Sequence, residues 1–231
     1  MRNKTKTALA AIAAYLSVAI CSNGGAFNYS DGDVLLTFYW HNSNVGEAVY
    51  DVGSISNYLN LTAGTVVGVT NWNKQYLTNS SGTYSFTNAS FSLTAISAYT
   101  STSPCVWVTV AATNVVPVGI YGARFQSIWS RINGGIQAID NYYTNNYSYD
   151  ISTNEFQCLN DWVYSQKITG SQDLSDTATY GGSLPFAAEC RVPGSLMFYQ
   201  LAATNSPLPS AVKVGSFSMS QNGVLTFTAG N

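Results

Sequence analysis

The stretch VKVGSFSMSQNGVLTFT, residues 212–228, decides the fold class. Two strand-forming runs, 212–219 and 224–228, flank the tripeptide Gln221-Asn222-Gly223. An Asn-Gly pair between such runs is the strongest short-range signal of a β-hairpin, because both residues tolerate the positive φ angles that a tight turn requires. The sequence therefore predicts that the chain closes on an antiparallel hairpin.

Further strand patterns precede this hairpin. Val34, Leu36, Phe38 and Trp40 alternate with residues that are also largely apolar, which predicts a first strand in the middle of a sheet. More strands are predicted around residues 47–52, 65–70, 84–99, 105–111 and 196–202. We expect a mainly β fold, a single-domain antiparallel β-sandwich-like structure.

One segment breaks the β pattern. Apolar side chains recur at three- and four-residue steps over about residues 122–143, which predicts an amphipathic helix packed on the sheet. The members of this apolar stripe are Phe125, Ile128, Trp129, Ile132, Ile136, Ile139 and Tyr143.

The N-terminus predicts export. Three basic residues lie within the first six, and the apolar run 8–20 that follows is shorter than the ~20 residues of a membrane-spanning helix. We expect a signal peptide over residues 1–26, cleaved between Ala26 and Phe27, and one mature domain over 27–231. The alternative is a lipid anchor on Cys21, but Ile20 occupies the position where such a motif has a small residue.

Charge is sparse, at 9% of residues. Without the predicted signal peptide, six basic side chains face eleven acidic ones. Because nucleic-acid binding depends on Lys and Arg that neutralise phosphates, this balance argues against a nucleic-acid partner. A hydrophobic content of 46% is ample for a folded core.

Three cysteines remain after the predicted cleavage, and they allow one disulfide. We favour Cys158–Cys190, since both residues lie near loops in the second half of the chain, and the other two pairings stay open. Cys105 lies in an apolar run with Val106 and Val108, so we expect a buried thiol there.

Catalysis is not expected. His41 is the single histidine, and the chain has no G-x-S-x-G nucleophile motif. Asp150, Glu155 and Asp161 are candidates for the paired carboxylates of a glycosidase, but eleven scattered acids produce such neighbours by chance. We predict no catalytic residue and no cofactor.

Two pairs of aspartates offer oxygen ligands of the kind that calcium prefers: Asp31 with Asp33, and Asp173 with Asp176. Neither pair has the spacing of a known calcium loop, so we interpret both as solvated turns and predict no metal site.

Two blocks near the start of the mature chain, with the closing hairpin, resemble a known group. The blocks are GDVLL at residues 32–36 and VYDVGSISNYLNL at residues 49–61. They resemble secreted bacterial proteins with a GDLLLGF-like opening, many of which carry a PEP-CTERM sorting tail. The sorting tail is absent here, so the resemblance implies release from the bacterium or assembly outside the cell. It implies no catalytic residues.

Two functions from different classes fit these observations. The first is a secreted structural protein, a subunit of an extracellular matrix, fibre or surface coat. It would self-associate through strand edges, because residues 84–99 carry no charge and a leader over 27–33 would let the first strand reach a neighbour. The second is a polysaccharide-binding adhesin that uses exposed aromatic side chains, with Trp72, Trp162, Tyr142 and Tyr143 as candidates.

Overall fold

The computed structural model describes residues 30–39, 46–72, 74, 85–98, 104–111, 129–130, 133, 147–150, 155–159, 189–202 and 211–230. For residues 39, 46–47, 147–150, 155–159 and 202 it describes the backbone.

The described strands form one antiparallel sheet, which confirms the mainly β prediction. Its order is β3-β11-β10-β9-β5-β4-β1-β2-β7-β6, and the short β8 pairs with β4. Two separate sheets are not seen in this part of the chain. In chain order the strands are β1 Asp33–Tyr39, β2 Gly46–Ser54, β3 Val66–Val69, β4 Ser90–Ile96, β5 Cys105–Ala111, β6 Tyr147–Asp150, β7 Glu155–Leu159, β8 Cys190–Arg191, β9 Gly194–Ala202, β10 Val212–Met219 and β11 Leu225–Ala229.

Strand β1 lies in the middle of the sheet, as its two apolar faces predict. It pairs with β2 on one side and with β4 on the other, and residues 34–38 are completely buried. Because both of its edges are already bonded, β1 has no edge with which to reach a neighbouring molecule. The expectation that the leader frees the first strand for a partner is therefore wrong.

Strand β4 is also interior, which corrects the interpretation of residues 84–99 as an unprotected edge. All seven residues of β4 are buried, and the strand pairs with β1, β5 and β8. The segment lacks charge because both of its faces are covered, not because its edge is open. A 3₁₀ turn, Phe86–Asn88, leads into it.

The sheet curls strongly, and the four-residue helix α1, Ser56–Leu59, shows how far. The Tyr58 hydroxyl donates a hydrogen bond to the Val52 carbonyl of β2, at 2.9 Å. The centroid of the Tyr58 ring lies 5.3 Å from that of Phe217 in β10 and 5.0 Å from that of Phe227 in β11. Since β2 and β11 are six strand spacings apart in the sheet order, roughly 29 Å if the sheet were flat, its two halves must bend towards each other.

One apolar core fills the concave side of the curl. Most of its ring pairs are edge-on or tilted, and Trp72 stacks on Phe86; edge-to-face and offset-stacked pairs are the arrangements that aromatic quadrupoles favour. The ring centroids of Phe198 and Phe217 are 5.1 Å apart, and those of Phe217 and Phe227 are 4.8 Å apart. This core joins strands from both ends of the chain.

The opposite face of the central strands is buried as well. Thr37, Ser92 and Thr94 are completely buried there, and Thr37 lies opposite Ser92 in the register. Trp129, in a helical stretch that includes residues 129–130 and 133, donates its indole N–H to the Ser97 carbonyl at 2.8 Å. This contact fits the predicted amphipathic helix over 122–143, the remainder of which lies outside the described residues.

The closing hairpin is confirmed. β10 and β11 pair from Gly215↔Ala229 to Met219↔Leu225, and Gly223 after the Gln221-Asn222 turn has a φ of 82°. Glycine adopts this conformation without strain because it has no Cβ. The hairpin continues into β3, which pairs with β11 from Thr228↔Val66 to Leu225↔Val69.

Candidate functional site

Trp72, a predicted ligand-facing aromatic, is a core residue, so that prediction is wrong. The side chain is 8% exposed. Its ring stacks on Phe86 at a centroid distance of 5.9 Å and lies 5.1 Å from Phe38 and 6.0 Å from Tyr50. Burial of a large aromatic ring lowers the free energy of the folded state, because it removes apolar surface from water. The curl of the sheet brings the core close enough for Trp72 to be buried in it.

The other predicted aromatic candidates, Trp162, Tyr142 and Tyr143, lie outside the described residues. So do the cleavage site at Ala26 and Phe27, and His41. The exposed large apolar side chains in the described part of the chain are all aliphatic: Leu59, Val66, Val212 and Val224.

The structure contradicts the predicted Cys158–Cys190 disulfide. Cys190 carries a free thiol. The register leads from Cys158 in β7 across β2 and β1 to β4 and then to β8, which contains Cys190. The successive opposite pairs are Cys158↔Glu47, Glu47↔Tyr39, Tyr39↔Ser90 and Ser90↔Arg191. Four strand spacings of about 4.8 Å therefore separate the two positions, well beyond the ~7 Å between Cα atoms that a disulfide spans.

Cys105 is a buried thiol, as its apolar surroundings predict. Its Sγ accepts a hydrogen bond from Gln200 Nε2 at 3.1 Å.

Two of the three candidate carboxylates face each other in the backbone register. Asp150, the last residue of β6, lies opposite Glu155, the first residue of β7. Asp161 lies outside the described residues. Two acidic positions thus stand at one end of the β6–β7 pair.

The Asp31 and Asp33 segment has the geometry of a turn. The Asp33 carboxylate accepts a hydrogen bond from the Ser30 backbone N–H at 2.8 Å. Asp173 and Asp176 lie outside the described residues. Within the part of the chain that the structure describes, no three His, Cys, Asp or Glu side chains come together as a metal site.

A buried carboxyl beside Cys190 was not anticipated, and nothing in the sequence around it predicts its burial. Loss of hydration raises the pKa of Glu189 from its ordinary value of 4.5 to about 9. Burial, together with the charge of Glu189, raises the pKa of the Cys190 thiol to about 12. Both groups are therefore protonated at neutral pH, and this thiol is a poor nucleophile.

The outer edge of β3 carries backbone groups that bond to no other strand among the described residues. The Thr65 carbonyl accepts a hydrogen bond from the Ala229 N–H at 2.9 Å, and by the alternation along the strand Val67 and Val69 direct both their N–H and C=O groups towards β11. In an antiparallel strand these groups alternate between the two sides. The N–H and C=O groups of Val66 and Gly68 therefore point away from the sheet.

This edge is open and uncharged. Val66 is 62% exposed, Gly68 is exposed, and β3 has no further strand beyond it among the described residues. No charged side chain occurs between Asp51 and Lys74. That uncharged run is the sequence signal that could have identified this edge, because strands usually protect their edges with charge, proline or bulges.

The opposite edge of the described sheet carries acidic residues, unlike the edge at β3. It is formed by β6, which ends in Asp150 opposite Glu155. Acidic residues at an edge disfavour pairing with a second copy of the same edge. The outer edge of β3 is therefore the less charged pairing surface of the two.

No helix in the described residues is both long enough and apolar enough to cross a membrane. A comparison with known proteins finds no matching family model, no matching curated protein and no matching solved structure. The resemblance to secreted bacterial proteins with a GDLLLGF-like opening accordingly stays a prediction, and the outer edge of β3 is the feature of the described fold that best supports a function.

Proposed function

We propose that this chain is a non-catalytic, secreted structural protein of bacterial origin, a subunit of an extracellular matrix, fibre or surface coat that self-associates through the outer edge of β3. The single observation that carries the proposal is the open, uncharged edge formed by the outward backbone groups of Val66 and Gly68. Such an edge adds a strand from another chain by ordinary sheet hydrogen bonding.

The strength of this pairing follows from its size. Two residues offer two donors and two acceptors, and each hydrogen bond contributes about 0.5–1.5 kcal/mol net. Holding two proteins together costs roughly 4–15 kcal/mol of lost motional freedom. One edge contact alone is therefore weak, and association should rise steeply with concentration. A cell surface or matrix that holds many copies close together would favour it.

Two lysines on the outer face of β3 test the proposal. Val66 is exposed, and a side chain added at Gly68 meets no atom within 4 Å, so V66K/G68K should fold normally. Like charges then oppose the approach of a second uncharged edge. We expect sedimentation velocity over a concentration series from the micromolar to the millimolar range to show oligomers of the mature wild-type protein at the upper end and monomers of V66K/G68K throughout.

The matched control is V212K/V224K. It places the same two charges at two valines that are 58% and 57% exposed, one in β10 and one next to β11, neither of them on the outer edge of β3. It should associate like the wild type. A wild-type protein that stays monomeric, or a control that loses association as fully as V66K/G68K does, would contradict the proposal.

The polysaccharide-binding alternative gains no support from the described side chains, since Trp72 is buried and none of the exposed apolar residues is aromatic.

A further inference from the structure

We propose that the partner of β3 is β3 of a second copy, paired antiparallel around a two-fold axis at Val67. This inference rests on the proposed self-association and specifies its geometry.

The positions of the outward backbone groups select this register. Val66 and Gly68 both point their N–H and C=O groups away from β11. In an antiparallel pair, residues with outward groups must lie directly opposite each other to exchange both hydrogen bonds. Placing Val66 opposite Gly68 of the second copy, and Gly68 opposite the second Val66, satisfies the outward groups of all four residues. The two-fold axis then passes between the two copies of Val67.

The side chains on the outer face fit the same register. Val66 is large and 62% exposed, whereas Gly68 has no side chain, and nothing lies within 4 Å of where its Cβ would be. Opposite pairing therefore places each valine beside the open space at the other copy's glycine. The two contacts are identical, as two-fold symmetry requires.

Charge disfavours the same arrangement at the other edge. At the other edge, Asp150 of β6 and Glu155 of β7 place two acidic positions at one end of the strand pair, so a second copy of this edge approaches against like charge. An edge without charge pairs with itself without this repulsion, and β3 is uncharged along its length.

A head-to-tail contact between β3 and β6 is the competing geometry. It would leave an open edge on every complex and so grow into a fibre by itself, whereas pairing of β3 with β3 closes on a dimer, which would be the repeating unit of the matrix, fibre or coat. The two geometries predict different neighbours for Val66.

Disulfide trapping with two single variants, V66C and G68C, separates the geometries. Both positions are exposed, so neither variant disturbs the core. In the proposed register, residue 66 of one copy lies about 5.5 Å from residue 68 of the other, within the range of a disulfide. Two copies of residue 66 are displaced along the strands by two residues, beyond that range, as are two copies of residue 68.

The experiment oxidises V66C, G68C, an equimolar mixture and the wild type at a concentration where the wild type associates. We expect the mixture to give a dimer with a 66–68 bond, and each single variant to give no more than the wild type, whose own cysteines set the background. An associating protein whose mixture gives no such bond would overturn the two-fold geometry and leave self-association intact. A wild type that does not associate would overturn both.

Discussion

The curl of the sheet depends on Tyr58, and replacing this residue tests the curl directly. The hydroxyl bonds the Val52 carbonyl at 2.9 Å, and the ring packs edge-on against Phe217 and Phe227. One side chain thus ties β2 to β10 and β11. Burial, with a smaller contribution from Asp51, raises the pKa of Tyr58 above its usual range, so the hydroxyl keeps its proton at physiological pH.

Two substitutions divide this contribution. Y58F removes the hydroxyl and leaves the buried Val52 carbonyl without this donor, which should cost about 1–3 kcal/mol of unfolding free energy. Y58A also removes the ring from the core and should cost about 3–5 kcal/mol. The neighbouring Leu59 is 42% exposed, so L59A is the matched control and should change stability by about 0.5 kcal/mol.

Urea unfolding followed by tryptophan fluorescence and by circular dichroism measures these differences. We expect the order wild type, L59A, Y58F, Y58A from most to least stable. A Y58A variant as stable as L59A would refute the reasoning, because the two halves of the sheet would then be held together without Tyr58.

Three further results are expected. A Cβ at Gly215 would collide with the Thr228 carbonyl oxygen, so G215A should unfold at a clearly lower urea concentration. G68A, with open space around the added Cβ, should be neutral or slightly stabilising. Between pH 4.5 and about 9 the folded protein keeps a proton on Glu189 that the unfolded chain has lost. The free energy of unfolding should therefore fall as the pH rises through that window, by at most about 1.4 kcal/mol per pH unit. Urea unfolding measured at several pH values should show a smaller fall for E189Q. With its pKa raised to about 12, Cys190 should react with iodoacetamide at pH 8 far more slowly in the folded than in the unfolded protein, as peptide mapping would show.

Local patterns predicted the strands well. The Asn222-Gly223 turn located the closing hairpin, and the alternation after Asp33 placed β1 in the interior of the sheet. Both features depend on residues that are close in sequence, which is why they could be predicted from sequence alone.

Long-range pairing was not predictable in this way. β3 was expected as a strand, but its position at the edge follows from pairing with β11, more than 150 residues later. The same limit explains the error for β4. Its alternating Ser90, Ser92 and Thr94 resemble a solvent-facing row, yet all three are buried because other parts of the chain cover that face.

Trp72 shows the limit for single side chains. It lies between Asn71 and Asn73, and the helical spacing of Trp72, Tyr76 and Leu77 does not distinguish a binding platform from a core residue. Its burial depends on Phe38 and Phe86, which different parts of the chain bring together through the sheet and the turn before β4. The candidate site was missed for a related reason. The uncharged run between Asp51 and Lys74 is visible in the sequence, but residues 84–99 also lack charge and contain an interior strand, so the strand order is needed to tell the two apart.

Amide hydrogen exchange along β3 tests the central claim most directly. The N–H groups of Val67 and Val69 point towards β11, whereas those of Val66 and Gly68 point outwards. We predict that, as the protein concentration is raised from the monomeric to the associated range, exchange slows at Val66 and Gly68 and stays unchanged at Val67 and Val69. Association that leaves exchange at Val66 and Gly68 as fast as in the monomer would contradict the account.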